Sequence, residues 1–265
     1  MEYLNIIYLS EPKLSKLPDS FGKLMNLKEL RINETSLETL PRSFKNLDNL
    51  EFLTIFKANL KIFPKEICRL RNLKELSLNK NQIEEIPGCI ENLKKLESLN
   101  LNNNQISGFP NILTNSSLTQ LEEISLDNNP IKTIPESIKK LSNLISITLN
   151  NTRLTDLPKS LCNLTKLVAL ELNTNQISRI PECIANLTNL GRLHLSDNQI
   201  TELPISLSNL KRPIAIFLKN NRIGKFPPFL KTMILRRLDL RGNPLEEYPK
   251  TIGKAKLVED KFFSW

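Results

Sequence analysis

Leucine and isoleucine recur along the chain in the spacing LxxLxL, with polar residues between them. In LKELSLNKNQIEEIPGCIENLKKL, residues 73–96, Leu76 and Leu78 alternate with Glu75, Ser77 and Asn79. A period of two predicts a short strand with one buried and one wet face. Ile83 and Ile86 then point inward, Pro87 opens a helical or irregular turn, and Ile90 and Leu93 follow at i+3 spacing. Asn81 stands at the ninth position of the unit. Its amide carries donors and an acceptor that suit the backbone groups left where the chain turns inward after the strand.

The unit repeats. Aligned on LxxLxL, copies begin at Leu4, Leu27, Leu50, Leu73, Leu96, Leu121, Leu144, Leu167, Leu190, Pro213 and Leu235, 23 residues apart except for one step of 25 and one of 22. One copy cannot bury its own apolar edge, whereas stacked copies can, their strands forming a parallel sheet on one side. A single domain over residues 1–265 is expected, with Phe262, Phe263 and Trp265 capping the last copy over about 257–265. The first strand, starting near Leu4, is expected to leave an exposed edge, a place for dimerisation in a chain otherwise expected to be a monomer.

The pattern LxxLxLxxNxIxxIPxxIxxLxx resembles the leucine-rich repeat in its 23-residue form, and the Lys- and Asn-rich composition is similar to that of the large leucine-rich-repeat families of spirochaetes. The match covers nearly the whole chain. The resemblance implies an α/β fold: a right-handed, arc-shaped solenoid of about eleven repeats. Its parallel β-sheet would line the concave face, with short helices or 3-10 turns on the convex face. It also implies a concave surface that binds another macromolecule and only rarely catalyses. The cysteine-rich caps of secreted eukaryotic members are missing, and the chain has no room for the catalytic domain of bacterial leucine-rich-repeat ubiquitin ligases.

Function is therefore sought at the third, fifth and seventh positions of each copy, which face outward from the sheet. These positions divide into three zones. The first is apolar and aromatic, with Ile6, Tyr8, Phe52 and Phe56 around Glu29, Arg31 and Asn33. The middle is small and polar with scattered acids. The last turns basic, with Arg192, His194, Phe217, Lys219, Arg237 and Arg241 around Asp239. Tyr8, Phe52, Phe56, Phe217 and Arg237 belong to the residue types enriched at binding hot spots.

Charge sharpens the last zone. Residues 211–241 hold nine Lys or Arg against one acid and so carry eight of the nine net positive charges. That concentration would attract an acidic protein, with an anionic glycan or nucleic acid as the alternative. Nucleic acid is disfavoured, because the cations do not share one face and few aromatics interleave with them. The chain has no membrane-spanning run and no signal at its start, MEYLNIIYLS. Cytoplasmic residence is the expectation for the chain as it stands, with secretion or surface display open if a signal has been removed.

Candidate chemistry is sparse. Cys68, Cys89, Cys162 and Cys183 form two pairs 21 residues apart in visibly related segments, which reads as an internal duplication of structural cysteines better than as a disulfide or zinc framework. His194 lies beside Ser196 and Asp197, but on one strand and turn no base-to-nucleophile geometry or oxyanion hole is in view. The expectation is a non-enzymatic protein-binding module without cofactor or metal: a bacterial host-interaction factor, or alternatively an intracellular signalling scaffold. One stretch stands out. In LEFLTIFKANLKIFP, residues 50–64, Phe52 and Phe56 occupy outward positions and Ala58 replaces the ninth-position asparagine, as Pro12, Thr35 and Thr152 do elsewhere. Ala58 is expected to leave buried backbone groups unpaired unless water or an adjacent repeat satisfies them, and Phe52 and Phe56 either form a binding patch or are covered by a second chain or segment.

Overall fold

The computed structural model describes residues 4–110, 113 and 118–247. The cap expected over 257–265 lies outside them. The chain divides into two compact units, Met1–Pro130 and Ile131–Trp265. In the first, strands β1 (Ile6–Leu9), β2 (Glu29–Asn33), β3 (Phe52–Phe56), β4 (Glu75–Ser77), β5 (Ser98–Asn100) and β6 (Glu123–Ser125) pair in sequence order, all parallel. In the second, β7 (Ser146–Thr148), β8 (Ala169–Glu171), β9 (Arg192–His194), β10 (Ile214–Phe217) and β11 (Leu235–Asp239) do the same. The ladders join equivalent positions, so Leu30, Leu53, Leu76 and Leu99 line up across β2 to β5. The 22-residue step leaves a trace: the β10–β11 register shifts between Ile214 and Ala215, and Ile214, not Pro213, fills the first buried position of its copy.

Among the described residues the proline-led turns form short 3-10 helices, as at Lys65–Arg69 and Gly88–Asn92 in the first unit and Lys159–Asn163 and Glu182–Asn186 in the second. Pro87, at φ −72° and ψ 152°, starts one such turn, and i+3 bonds follow from Ile90 N to Pro87 O (3.1 Å) and Leu93 N to Ile90 O (3.0 Å). A three-residue turn places Ile90 and Leu93 on one side, and both are fully buried. Within each unit, strands contact strands and 3-10 segments contact 3-10 segments. The leucines and isoleucines fill the space between these two layers. Leu50, Leu53, Ile55, Leu60 and Phe63 are all buried, so the segment 50–64 is intact as a building block.

The ninth-position asparagines act mainly across copies. Asn81 Nδ2 donates to Leu78 O in its own copy (3.0 Å) and to Ile55 O one copy back (2.9 Å), while its Oδ1 accepts the N–H of Leu60, also one copy back (3.2 Å). Asn104, Asn129, Asn175, Asn198, Asn221 and Asn243 repeat the pattern. This decides between the alternatives left open for Ala58: the adjacent repeat satisfies the groups. The copy containing it is served by Asn81, and the groups deprived of an amide lie one copy earlier, where Leu37 N has only Thr35 Oγ1 at 3.4 Å.

A second regularity was invisible in the pattern. The eighth position adopts the left-handed conformation in every copy from the second onward: Glu34, Lys57, Lys80, Asn103, Asn128, Asn151, Thr174, Asp197, Asn220 and Gly242 have φ between 51° and 70°. Only the last is glycine, where an added Cβ would collide with the Asn220 side chain.

The cysteine reading is also corrected. Cys68 is bonded to Cys89 and Cys162 to Cys183, with Cα atoms 5.6 and 5.7 Å apart, and no described cysteine is free. The partners sit at the nineteenth position of one copy and the seventeenth of the next, on adjacent 3-10 segments. Coils stacked at about the strand spacing of ~4.8 Å bring such positions within disulfide reach. The signal was present in the register: both pairs occupy consecutive copies at the same two positions.

Candidate ligand-binding face

Third-, fifth- and seventh-position side chains stand on the sheet face turned away from the core, as the alternation predicts. On the first unit, Tyr8 and Ile6 of β1 are 62% and 45% exposed, whereas Phe52 and Phe56 of β3 are half-buried rather than freely exposed. Their neighbours explain the difference. Glu29 receives Arg31 Nε at 2.6 Å and the Tyr8 hydroxyl at 3.1 Å, and the Arg31 guanidinium lies 5.4 Å from the centre of the Tyr8 ring. Phe56 lies under Lys80 Nζ at 5.1 Å. Phe52 is flanked in the ladder by Glu29 and Glu75. Phe52, Glu29, Arg31 and Glu75, with Thr54, Ser77, Ser98 and Asn100, line a depression of about 340 Å³.

The middle zone is less available than its polar composition suggests. Asn102 Oδ1 accepts Asp127 N at 2.6 Å, Asn150 Oδ1 accepts Asn173 N at 2.8 Å, and Asn173 Oδ1 accepts Ser196 N at 2.9 Å. These seventh-position amides bond the backbone of the following copy. Their recurrence at one position was the legible sign that they serve the scaffold.

On the second unit the structure brings His194, Phe217 and Arg237 together. The His194 ring centre is 4.2 Å from that of Phe217, and the Arg237 guanidinium is 5.1 Å from the same ring centre. Burial pushes the His194 pKa down, with Arg192 and Arg237 adding to the effect and Glu171 opposing it. Asp197 is not part of this group: it turns through the left-handed eighth position and accepts Asn220 Nδ2 at 2.7 Å. Asp239 is buried and accepts Arg241 Nε at 2.9 Å and Nη2 at 2.6 Å, which holds its carboxyl below the usual range and neutralises one cation of the basic zone. Of the nine Lys and Arg between 211 and 241, only Lys219, Arg237 and Arg241 occupy sheet-face positions, and Arg192 of β9 joins them from outside that span. Arg192, Lys219 and Arg237 are exposed.

A depression of about 550 Å³ also lies off the sheet face of the first unit, lined by Leu40, Phe63 and Pro64 with Glu38, Lys61 and Arg42 at its rim and Ile62 77% exposed beside them. It falls between strand and 3-10 segment, where the repeat pattern sets few identities, so no periodic signal marks it.

Known proteins place this architecture. A family profile described as a leucine-rich repeat region matches residues 111–212, and one for paired leucine-rich repeats matches 71–115. No sequence match was found among curated proteins. Among solved structures, a leucine-rich-repeat protein of Leptospira interrogans is 30% identical at a TM-score of 0.76, covering 90% of this chain and 66% of its own. An internalin of Listeria monocytogenes is 26% identical at 0.82, covering 93% and 70%. A plant peptide hormone receptor, RGFR1 in complex with RGF2, is 33% identical at 0.77, covering 91% of this chain. The chain thus spans 66% of the Leptospira protein and 40% of the plant receptor. With eleven registered copies, an asparagine ladder and these relatives, the chain belongs to the leucine-rich-repeat family.

Proposed function

We propose that the chain is a non-enzymatic module that binds a polypeptide on the sheet face of its first unit, centred on Phe52 with Tyr8 and Phe56 beside it. The observation that carries this reading is the 340 Å³ depression beside Phe52, in which an aromatic side chain lies among hydroxyls, an amide, carboxylates and the Arg31 guanidinium. Apolar surface ringed by polar groups is the usual anatomy of an interface core and rim. A receptor of similar fold solved in complex with RGF2 supports the same reading. The two disulfides support export to an oxidising compartment over the cytoplasm, since such bonds persist outside it. Among the described residues no helix is long and apolar enough to cross a membrane. A bacterial surface or secreted factor acting on a host protein fits this combination. A second reading, in which Arg192, Lys219 and Arg237 bind an acidic partner, rests on the charge carried by residues 211–241.

Binders selected on the intact protein from a displayed random-peptide library test the proposal. Their affinity should fall about tenfold or more on Phe52→Ala, the cost of truncating an aromatic hot spot. Binders that ignore Phe52→Ala and lose affinity on Arg237→Glu, with a steep salt dependence, would replace the first reading with the second.

A further inference from the structure

The aromatic residues of the sheet faces are not equivalent. Tyr8, Phe56 and Phe217 each carry a cation of the chain's own against the ring: Arg31 at 5.4 Å, Lys80 at 5.1 Å and Arg237 at 5.1 Å. Among the described residues no Lys or Arg lies over Phe52. Its ladder neighbours are carboxylates instead. Glu29 on one side is already held by Arg31 at 2.6 Å and by the Tyr8 hydroxyl. Glu75 on the other side is exposed and belongs to none of the ion pairs among the described residues. Arg31, the one cation of the lining, is the one bonded to Glu29, and Thr54, Ser77, Ser98 and Asn100 add uncharged oxygens and an amide. The site is thus a ring lacking the cation that its sister rings hold, beside a carboxylate lacking a counter-charge, in a depression of about 340 Å³.

We infer that this depression receives a lysine or arginine side chain of the polypeptide partner. An ammonium or guanidinium set over the Phe52 face gains from the ring quadrupole, as the three internal pairs do. In the same position it lies within salt-bridge reach of Glu75, because adjacent parallel strands are only about 4.8 Å apart. The hydroxyls of Thr54, Ser77 and Ser98 accept the remaining N–H bonds of the cation. On the β1–β6 face the third-position carboxylates are Glu29, Glu75 and Glu123, and Arg31 is the only strand cation. The surface complements a basic side chain and would repel an acidic one.

This inference rests on the polypeptide-binding reading above, and the test separates the two. Peptides selected on the intact protein are sequenced, each Lys or Arg is replaced in turn by Gln, and affinities are measured on the native protein, Phe52→Ala and Glu75→Gln. The Phe52-dependent peptides should share one Lys or Arg. Its replacement should weaken binding about tenfold on the native protein and by little on Glu75→Gln, which at an exposed position leaves the fold intact. Phe52-dependent peptides that lack a cation, or lose nothing when it is replaced, overturn the inference and leave polypeptide binding standing. Peptides indifferent to Phe52→Ala overturn both.

Discussion

Replacing Asn104 by Ala tests the asparagine ladder at a position where every partner is known. Asn104 Nδ2 donates to Leu101 O at 2.9 Å and to Leu78 O at 3.0 Å, and its Oδ1 accepts Ile83 N at 3.0 Å, all in a site only 7% exposed. Truncation removes three buried hydrogen bonds worth about 0.5–1.5 kcal/mol each and strands their backbone partners, so a loss of about 3 kcal/mol is expected. The assay is equilibrium urea denaturation followed by circular dichroism, with the m-value checked because stacked repeats can unfold in parts. Exchange of the Ile83 amide hydrogen reports the same loss locally. The reciprocal variant, Ala58→Asn, gives the opposite sign. It offers Leu37 N a better acceptor than Thr35 Oγ1 at 3.4 Å and should stabilise by about 1 kcal/mol. A loss below about 1 kcal/mol in Asn104→Ala at unchanged m would refute the view that these amides hold one copy to the next.

Three further outcomes are expected. Cys162→Ser/Cys183→Ser opens a cross-link spanning a sequence separation of 21 and should lower stability by about 3 kcal/mol in the chain-entropy account, read as a shift in the urea midpoint under non-reducing conditions. Thr174→Asn should stabilise by about 0.5–1 kcal/mol in the same assay, because a β-branched residue is held at φ 57° where other copies use Asn. His194 has a folded pKa below its unfolded value, so the native state binds fewer protons. Stability should therefore be full above pH 6.5, fall as pH drops below it and level off beneath the folded pKa, and His194→Gln should flatten that part of the urea-midpoint profile.

The architecture was legible because its determinants are local and repeated. Leu76 and Leu78 identify a strand by alternation alone, and a proline before Ile90 and Leu93 marks the turn. What escaped was whatever depends on two copies at once. Cys68 and Cys89 differ by 21 in sequence, and their pairing follows from stacking, not from any motif. The eighth position carries Glu, Lys, Asn, Thr and Asp without a glycine signature until Gly242, so its left-handed turn left no compositional trace. On the sheet face of each unit, the outward direction of Phe52 and Phe56 in the first and of Phe217 and Arg237 in the second followed from the alternation, while their partners did not. Arg241 looked like a member of a basic patch and is instead bound to Asp239.

The same dependence on the neighbouring copy decides how a face residue is to be read. In a parallel ladder each outward side chain has a fixed companion one copy on, and its availability depends on what that companion offers. Beside Tyr8 it is Arg31, held by Glu29; beside Phe217 it is Asp239, and Arg237, opposite Ala215, reaches the same ring; Phe56 meets Lys80 from the turn that follows β4. Each of these rings is partly spent within the chain, and truncating it would disturb an internal contact as well as any external one. Phe52 meets Glu75, a companion that cannot satisfy a ring face and is not itself satisfied. A binding surface on a repeat scaffold is thus found where the copy-to-copy pairing fails, more than where an aromatic residue happens to point outward. By that criterion the proposed binding face centres on Phe52 and Glu75, with Tyr8 and Phe56 as its supported flanks.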